Sequence, residues 1–197
     1  SDSLTADVSF SAVQSRHNDS FLCVKEVPPP VLVACSNPTV QKWVDSSVFF
    51  GQGKRKNGTP VLANRSNPSS VFGPAETTGL PSDPAPLAGS FISLGFGTTS
   101  PIIATSSIVL SFDNNVVMNG AGADLRIYEV TGGVYPDEHV KVEASKDGAS
   151  WVLISVDAVR DEDIVLGVLD WAKYIRITDI TNPSGFEPEA DAYDLDA

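Results

Sequence analysis

The sequence has few of the residues from which most catalytic centres are built. Only two histidines, His17 and His139, occur in 197 residues, and they lie far apart. No G-x-S-x-G elbow, H-E-x-x-H pair or glycine-rich phosphate loop is present. A carboxylate pair for glycoside hydrolysis remains open among the 25 acidic residues, although no spacing selects one. We therefore expect a protein that is not an enzyme.

Basic residues are scarce as well. The 13 Lys and Arg against 25 Asp and Glu give a formal net charge of −12. No basic stripe is present to displace counterions from phosphates, which argues against nucleic acid, and we expect no nucleic-acid partner. The acidic balance fits either a cation-binding protein or simply a well-solvated extracellular one. No apolar run approaches the roughly 18 residues of a membrane span, so we expect none.

Cysteine occurs only twice, as Cys23 and Cys35. Two apolar runs joined by three prolines, at 28–30, lie between them, which indicates a tight and stiff connection. A disulfide across this hairpin would close a short loop, contribute about 2–3 kcal/mol and imply an oxidising compartment. The alternative is a pair of free, buried cysteines.

What the sequence does contain is the period-2 pattern of β-strands. In residues 140–145 apolar side chains alternate with polar ones, as in a strand with one buried face. Residues 146–148 supply a turn, and a second strand follows at 150–156. We expect this hairpin to form the centre of an antiparallel β domain, with Trp151 and Ile175 in the core.

Short strands of this kind recur along the second half of the chain. Turn residues separate them and 3.6-residue periodicity is almost absent, so an all-β sandwich or jelly roll is expected. Only 136–139 and 169–172 are candidates for a single helical turn. The expected strands are 91–96, 107–112, 124–130, 140–145, 151–156, 164–166, 174–180 and 192–195.

Residues 51–90 are dense in Gly, Pro, Ser and Asn and therefore cannot sustain a helix or a long central strand. A loop of this length inside a compact domain is usually functional or ordered by a ligand. The alternative is a linker between an N-terminal piece and the main domain. We expect an ordered loop, held to the domain surface by Val61, Leu62, Val71 and Phe72.

Several motifs together resemble a known group, the β-sandwich domains of bacterial cell-surface proteins. The first four are 91–97 (FISLGFG), 107–113 (SIVLSFD), 119–129 (NGAGADLRIYE) and the closing acidic strand 190–197 (ADAYDLDA). Residues 65–73 (RSNPSSVFG) resemble the loop that precedes the first sheet strand of that group. Two further motifs are similar to the discoidin, or coagulation-factor type C, branch of the galactose-binding-like fold: 145–151 (SKDGASW) and 172–179 (AKYIRITD).

The resemblance covers about residues 45–197. It implies a galactose-binding-like jelly roll that is usually non-catalytic, often stabilised by calcium, and used to bind carbohydrate or a surface. Residues 98–106 depart from the group as an insertion. Residues 1–44 fall outside it and form an N-terminal extension with strand-like segments and the Cys23 and Cys35 hairpin.

Calcium is the cofactor that we expect. Ca²⁺ takes six to eight oxygen ligands from carboxylates, amides and carbonyls, often presented by turns. On a strand Asp194 and Asp196 project to one face and Tyr193 and Leu195 to the other. Two carboxylates on one face, about 7 Å apart, repel each other unless a cation or a cationic side chain lies between them. The alternative is an exposed, solvated acidic terminus. The expected ligands come from a loop and from the last strand: Asn119, Asp124, Asp191, Asp194 and Asp196.

Carbohydrate recognition usually relies on aromatic faces and planar polar side chains. Tyr135 and Trp171 stand in loop-like contexts and are the aromatic candidates. Arg176 is the polar candidate, on the outward face of a strand, where a salt bridge is the competing role.

We therefore expect a secreted or cell-surface, non-enzymatic binding or adhesion module. A structural subunit of an extracellular filament or surface layer is the alternative. In that case residues 1–20, which include an alternating segment at 6–13, would complete a neighbour's sheet as an added strand and drive self-assembly.

Overall fold

The computed structural model describes residues 42–76, 89–97, 106–130 and 135–197. All of them belong to the larger of two compact units of the chain, Val33–Ala197. The predicted disulfide between Cys23 and Cys35, the segment 1–20 and most of the predicted insertion at 98–106 lie outside the described residues.

The described part of the chain is all-β with antiparallel pairing, as predicted, and its only helical pieces are short 3₁₀ turns. None of its helices is long and apolar enough to cross a membrane. The strands are β1 (Ser46–Gly51), β2 (Ile92–Ser93), β3 (Ser107–Ser111), β4 (Val117–Met118), β5 (Leu125–Arg126), β6 (Val140–Ser145), β7 (Val152–Ala158), β8 (Asp163–Ile164), β9 (Trp171–Ala172), β10 (Tyr174–Asp179) and β11 (Asp194–Leu195).

Five strands form the main sheet, in the order β1-β3-β10-β6-β7. β10 lies at its centre and pairs antiparallel with β3 on one side and β6 on the other. The remaining strands form three two-stranded pairs, β2 with β11, β4 with β9, and β5 with β8. Among the described residues, β1 and β7 are therefore the edges of the main sheet.

One hydrophobic core is shared by the main sheet and the three short pairs. The alternation predicted for β6 and β10 determines which of their side chains enter the core. Val142 pairs with Ile177 and both are buried, whereas Lys141 and Thr178 point away. The short pairs contribute Ile92, Val117 and Ile164, among others, to the same cluster. The five-stranded sheet and the two-stranded pairs thus contribute side chains to the same core.

The strand predictions are confirmed best where the alternation is longest. β6 begins and ends at the predicted residues, while β2, β5 and β11 are shorter than expected. Neither 136–139 nor 169–172 contains a helix. The second of these holds β9 instead, because its backbone pairs with β4.

Trp151 is not a core residue, which corrects the sequence prediction. It precedes Val152, whose partner Ala144 is buried in the core, so Trp151 points to the opposite face of the sheet. There the Arg176 guanidinium lies 4.3 Å from the centre of its ring. Ile175 is buried, as predicted.

The loop that follows β1 is held to the domain as far as Glu76. Val61 and Val71 are buried and Phe72 packs against the core, as predicted, whereas Leu62 is 43% exposed. Residues 77–88 lie outside the described part. At its start the loop passes very close to residues 94–96, because Gly53 donates its N–H to the Leu94 carbonyl at 2.7 Å.

The fold predicts how two valines respond to truncation. Val142→Ala on β6 should lower the free energy of unfolding by about 2 kcal/mol, because it leaves a cavity at a fully buried position. Val156→Ala on β7 is the matched control and should change it by less than about 0.5 kcal/mol, since that side chain is 68% exposed. Urea denaturation followed by tryptophan fluorescence measures both. Equal losses would contradict the faces assigned to β6 and β7.

Candidate functional site

A tight basic turn follows β1. Arg55 donates its backbone N–H to the Thr59 carbonyl at 2.9 Å, and Gly58 donates back to the Arg55 carbonyl at 2.8 Å. Gly58 has a φ of 81°, a conformation that glycine adopts without strain. The turn therefore holds the basic residues at 54–56 in a defined backbone conformation.

The basic turn is anchored to the C-terminal part of the chain. Lys56 donates its backbone N–H to the Ala190 carbonyl at 2.9 Å, and Asn57 donates to the Pro188 carbonyl at 2.8 Å. The Lys56 ammonium also donates to the Phe186 carbonyl. These bonds leave Lys54 and Arg55 as the cationic side chains not committed to a neighbouring carbonyl.

A cavity of about 490 Å³ lies beside the turn. We call it the basic cavity. The 3₁₀ turn Pro183–Gly185 lies on another wall, and Asn182 caps that turn by accepting the Ser184 N–H at 3.0 Å. The described residues that line the basic cavity are Lys54, Arg55, Lys56, Gly58, Phe96, Gly97, Asn182, Pro183 and Ser184.

Arg55 is the least satisfied of the lining residues. Its Nε atom is buried and has no hydrogen-bond partner among the described residues. A buried polar atom that lacks a partner costs about 1–3 kcal/mol, and more when the group is charged. Arg55 therefore carries an unsatisfied donor beside the basic cavity.

Tyr135 lies behind the basic cavity rather than in it. Its ring packs edge-on against Phe186 with centroids 5.4 Å apart, and Phe186 packs in turn against the cavity residue Phe96 at 5.7 Å. Burial, followed by a hydrogen bond to Glu187, raises the pKa of the Tyr135 hydroxyl above its ordinary value. Tyr135 thus supports a wall of the cavity through Phe186.

The other two predicted ligand residues are engaged elsewhere. Arg176 forms a two-pronged ion pair with Glu143, with its Nε and one terminal nitrogen each 2.7 Å from a carboxylate oxygen. Trp171, on β9, has the Lys146 ammonium 5.2 Å from the centre of its ring. Neither residue lines the basic cavity.

The loop at 119–124 is bound to the backbone of a neighbouring loop. The Asn119 side chain donates to the carbonyls of Gly167 and Leu169 at 2.9 and 2.7 Å. Asp124 accepts the N–H groups of Gly120 and Leu166, both at 2.7 Å, one on each carboxylate oxygen. These bonds give both predicted calcium ligands a structural role in joining two turns.

The predicted acidic residues of the last strand are buried, not exposed. Arg65 lies 3.0 Å from a carboxylate oxygen of Asp191 and 3.5 Å from one of Asp194. Asp194 also accepts the Ser93 hydroxyl, and Asp196 accepts the Glu76 N–H at 2.8 Å. The exposed-terminus alternative is therefore wrong for these positions.

Further buried carboxylates surround Asp191 and Asp194, and we call the group of five the acidic cluster. Burial, followed by repulsion from Asp194 and Glu129, raises the pKa of Glu138 to about 10. Burial likewise raises the pKa of Asp179 to about 7 and that of Asp194 well above its ordinary range. The members of the cluster are Glu129, Glu138, Asp179, Asp191 and Asp194.

Tyr193 adds a second unsatisfied group next to the acidic cluster. Its side chain is fully buried, and its hydroxyl has no hydrogen-bond partner among the described residues. Burial and the nearby Glu129 carboxylate raise its pKa above the ordinary value. Within the described ranges, however, no three Asp, Glu, His or Cys side chains are grouped to hold a metal ion.

Sequence reasoning missed the basic turn and three of the five members of the acidic cluster, Glu129, Glu138 and Asp179. Three consecutive basic residues, 54–56, stand in a chain of net charge −12, and that contrast was visible in the sequence. Glu129 and Glu138 carry no such local signal, because only the fold brings them beside Asp194.

The raised pKa values predict the sign of the pH dependence. In the presence of a chelator, the melting temperature should fall as pH rises from about 5 to 8, because Glu138 and Asp179 hold protons more tightly in the folded state. That stabilisation is complete below their ordinary pKa values and is lost as pH rises through about 7 for Asp179 and about 10 for Glu138.

The substitution Asp179→Asn should flatten this slope, because it keeps the oxygen that accepts the Thr181 hydroxyl but removes the titrating group. Asp163→Asn, at an exposed aspartate on β8, is the control and should leave the slope unchanged. Differential scanning fluorimetry across the pH range measures all three proteins. A melting temperature that rises with pH would contradict the buried, protonated carboxyls.

Comparisons with known proteins give no match to a protein-family model, a curated protein or a solved structure. The galactose-binding-like assignment therefore remains an expectation from sequence motifs. The geometry of the basic cavity and of the acidic cluster provides the basis for a functional interpretation.

Proposed function

We propose that this chain is a non-catalytic, extracellular binding or adhesion module that recognises carbohydrate in the basic cavity. The observation that carries the proposal is an open cavity of about 490 Å³ whose lining includes the polar residues Lys54, Arg55, Asn182 and Ser184. Small-molecule sites typically have volumes of about 300–1,000 Å³ and a few fixed polar groups.

The polar groups of the basic cavity suit a ligand rich in hydroxyls. Lys54 and Arg55 offer donors, the Asn182 amide offers both donor and acceptor, and Ser184 adds a hydroxyl. Because the turns that carry them are held by hydrogen bonds to backbone N–H groups, little backbone conformational entropy is lost on binding.

The fold supports the same proposal. An antiparallel all-β chain whose last strand is acidic and buried agrees with the galactose-binding-like jelly roll that the motifs imply. The proposal therefore includes a galactose-binding-like jelly roll as the fold and an extracellular location.

Calcium belongs to this proposal as a stabilising cation of the acidic cluster. Glu138 and Asp194, which lie close enough to interact, would supply carboxylates, with backbone carbonyls and water completing the shell. When bound, Ca²⁺ would neutralise charges that otherwise force these carboxyls to hold protons. The predicted ligands Asn119 and Asp124 remain the alternative site, in a loop where their side chains also bond to neighbouring backbone groups.

The second candidate function is a filament or surface-layer subunit. The edges of the main sheet favour it: Val48 and Phe49 on β1 are 60% and 45% exposed, and Leu153 and Val156 on β7 are 48% and 68% exposed. Exposed apolar edge strands are templates for an added strand. Residues 1–20 of a second copy are the segment that would supply it.

A glycan array followed by calorimetry tests the proposed function. We expect the chain to bind at least one glycan class, and Ser184→Phe to weaken that binding by about tenfold or more, because the ring fills the cavity. Ser150→Phe is the matched control. Ser150 is exposed and lies outside the cavity, and its N–H donates to the Asp147 side chain much as the Ser184 N–H donates to Asn182. Binding that survives Ser184→Phe would place the glycan elsewhere.

Light scattering on the same samples separates the two candidates. A monomer over a wide concentration range that binds glycan excludes the filament subunit. Concentration-dependent polymers that disappear when residues 1–20 are deleted would favour the filament instead.

Calcium should raise the melting temperature relative to chelator. At 100 times the dissociation constant, a native-state ligand contributes about 2.7 kcal/mol, which is about 5–10 °C for a chain of this size. Glu138→Gln should abolish the shift, whereas Glu189→Gln, at an exposed position, should preserve it. Identical melting temperatures with calcium and with chelator would exclude the cation site.

A further inference from the structure

Unpaired positive charge is concentrated at the basic cavity. Lys54, Arg55 and Lys56 form no ion pair within the described residues, although the chain carries a net charge of −12. Most other described basic side chains do have acidic partners. These are Arg65, Arg126, Lys141, Lys146 and Arg176, which pair with Asp191, Asp163, Glu143, Asp170 and Glu143 respectively. The basic cavity is therefore a cationic site in an acidic protein.

Within the basic cavity the guanidinium of Arg55 is the group best suited to an anion. This guanidinium forms no hydrogen bond or ion pair within the described residues, whereas the Lys56 ammonium donates to the Phe186 carbonyl. A guanidinium presents its N–H groups as a planar fork that matches a carboxylate or sulfate with two parallel hydrogen bonds. A neutral hydroxyl would satisfy only one donor and would leave the charge uncompensated.

The groups opposite the basic turn are neutral. Asn182 and Ser184 line the cavity and carry an amide and a hydroxyl, and no acidic residue is among the described residues that line it. A ligand that fills the cavity therefore meets cations on one side and neutral hydrogen-bonding groups on the other. A small inorganic anion would use only the cationic side.

We propose that the basic cavity binds an anionic saccharide, a sugar whose carboxylate or sulfate pairs with Arg55 and Lys54 while its hydroxyls bond to Asn182 and Ser184. This inference rests on the proposed function, because it names the ligand class for the same cavity. It goes further by stating that the charge of the sugar, and not only its shape, determines recognition.

Calorimetry with three saccharide probes tests the charge. The probes are a trimer of galacturonic acid, the same trimer as its neutral methyl ester, and a sulfated galactose trimer. We expect the ester to bind about ten- to hundredfold more weakly than the acid, since a charge-assisted hydrogen bond is lost. The comparison of acid with sulfate identifies which anion the cavity prefers.

Two variants assign the binding to Arg55. Arg55→Gln should weaken binding of the anionic trimers about ten- to hundredfold and binding of the neutral ester much less, because Gln still donates a hydrogen bond but carries no charge. Arg126→Gln removes the same charge at an exposed ion pair with Asp163, outside the cavity, and should change binding less than about twofold. Equal melting temperatures of wild type and Arg55→Gln would show that the variant is folded.

The remaining outcomes separate this inference from the proposed function. Acid and ester that bind equally well, both sensitive to Ser184→Phe, would overturn the charge requirement and leave carbohydrate binding in place. Inorganic sulfate that binds as tightly as the trimers would overturn the saccharide and leave a simple anion site. If neither anionic trimer binds, the inference fails, and the glycan array alone decides the proposed function.

Discussion

The backbone of residues 190–197 is the part of the chain on which the rest of the described structure depends. Its carbonyls accept the N–H groups of Leu94 and Gly95 on one side, each at 2.8 Å, and of Lys56 at 2.9 Å. On the other side residues 128–130 exchange further backbone bonds with it. The same few residues also carry carboxylates of the acidic cluster and bury Tyr193 and Leu195 in the core. Core, cluster and cavity are consequently built around one short strand.

Much of the fold was predictable, and the failures have a common cause. Period-2 alternation marks β6 and β10, where several consecutive residues respond to a single buried face. The two-residue strands β4 and β9 leave no such pattern, because their pairing is imposed by tertiary contacts. Trp151 was misplaced for a related reason: its size suggests burial, but the register of its neighbour Val152 turns it to the outer face.

The candidate sites were less predictable than the fold. Alternation along the last strand correctly indicates that Tyr193 and Leu195 join the core and that Asp194 does not. It does not indicate that Glu129 and Glu138, which come from other parts of the chain, lie close to Asp194. The contrast between a basic segment and the acidic chain around it is the more informative sequence signal. In a chain this acidic, three adjacent basic residues without acidic neighbours indicate a binding surface, because they do not add to the net negative charge that keeps the protein soluble.

The crossing of Gly53 and Gly95 separates what can vary in this protein from what cannot. A Cβ on Gly53 would lie 2.3 Å from the Phe96 carbonyl oxygen, and one on Gly95 would lie 2.7 Å from the Gly53 backbone. Any side chain there would push the basic turn away from Phe96. This close approach of two backbone segments therefore helps to set the shape of the cavity, and it does not constrain the side chains of Lys54, Arg55 and Ser184. Related chains that kept both glycines would inherit the same recess and acquire new ligand preferences by substitution at its rim.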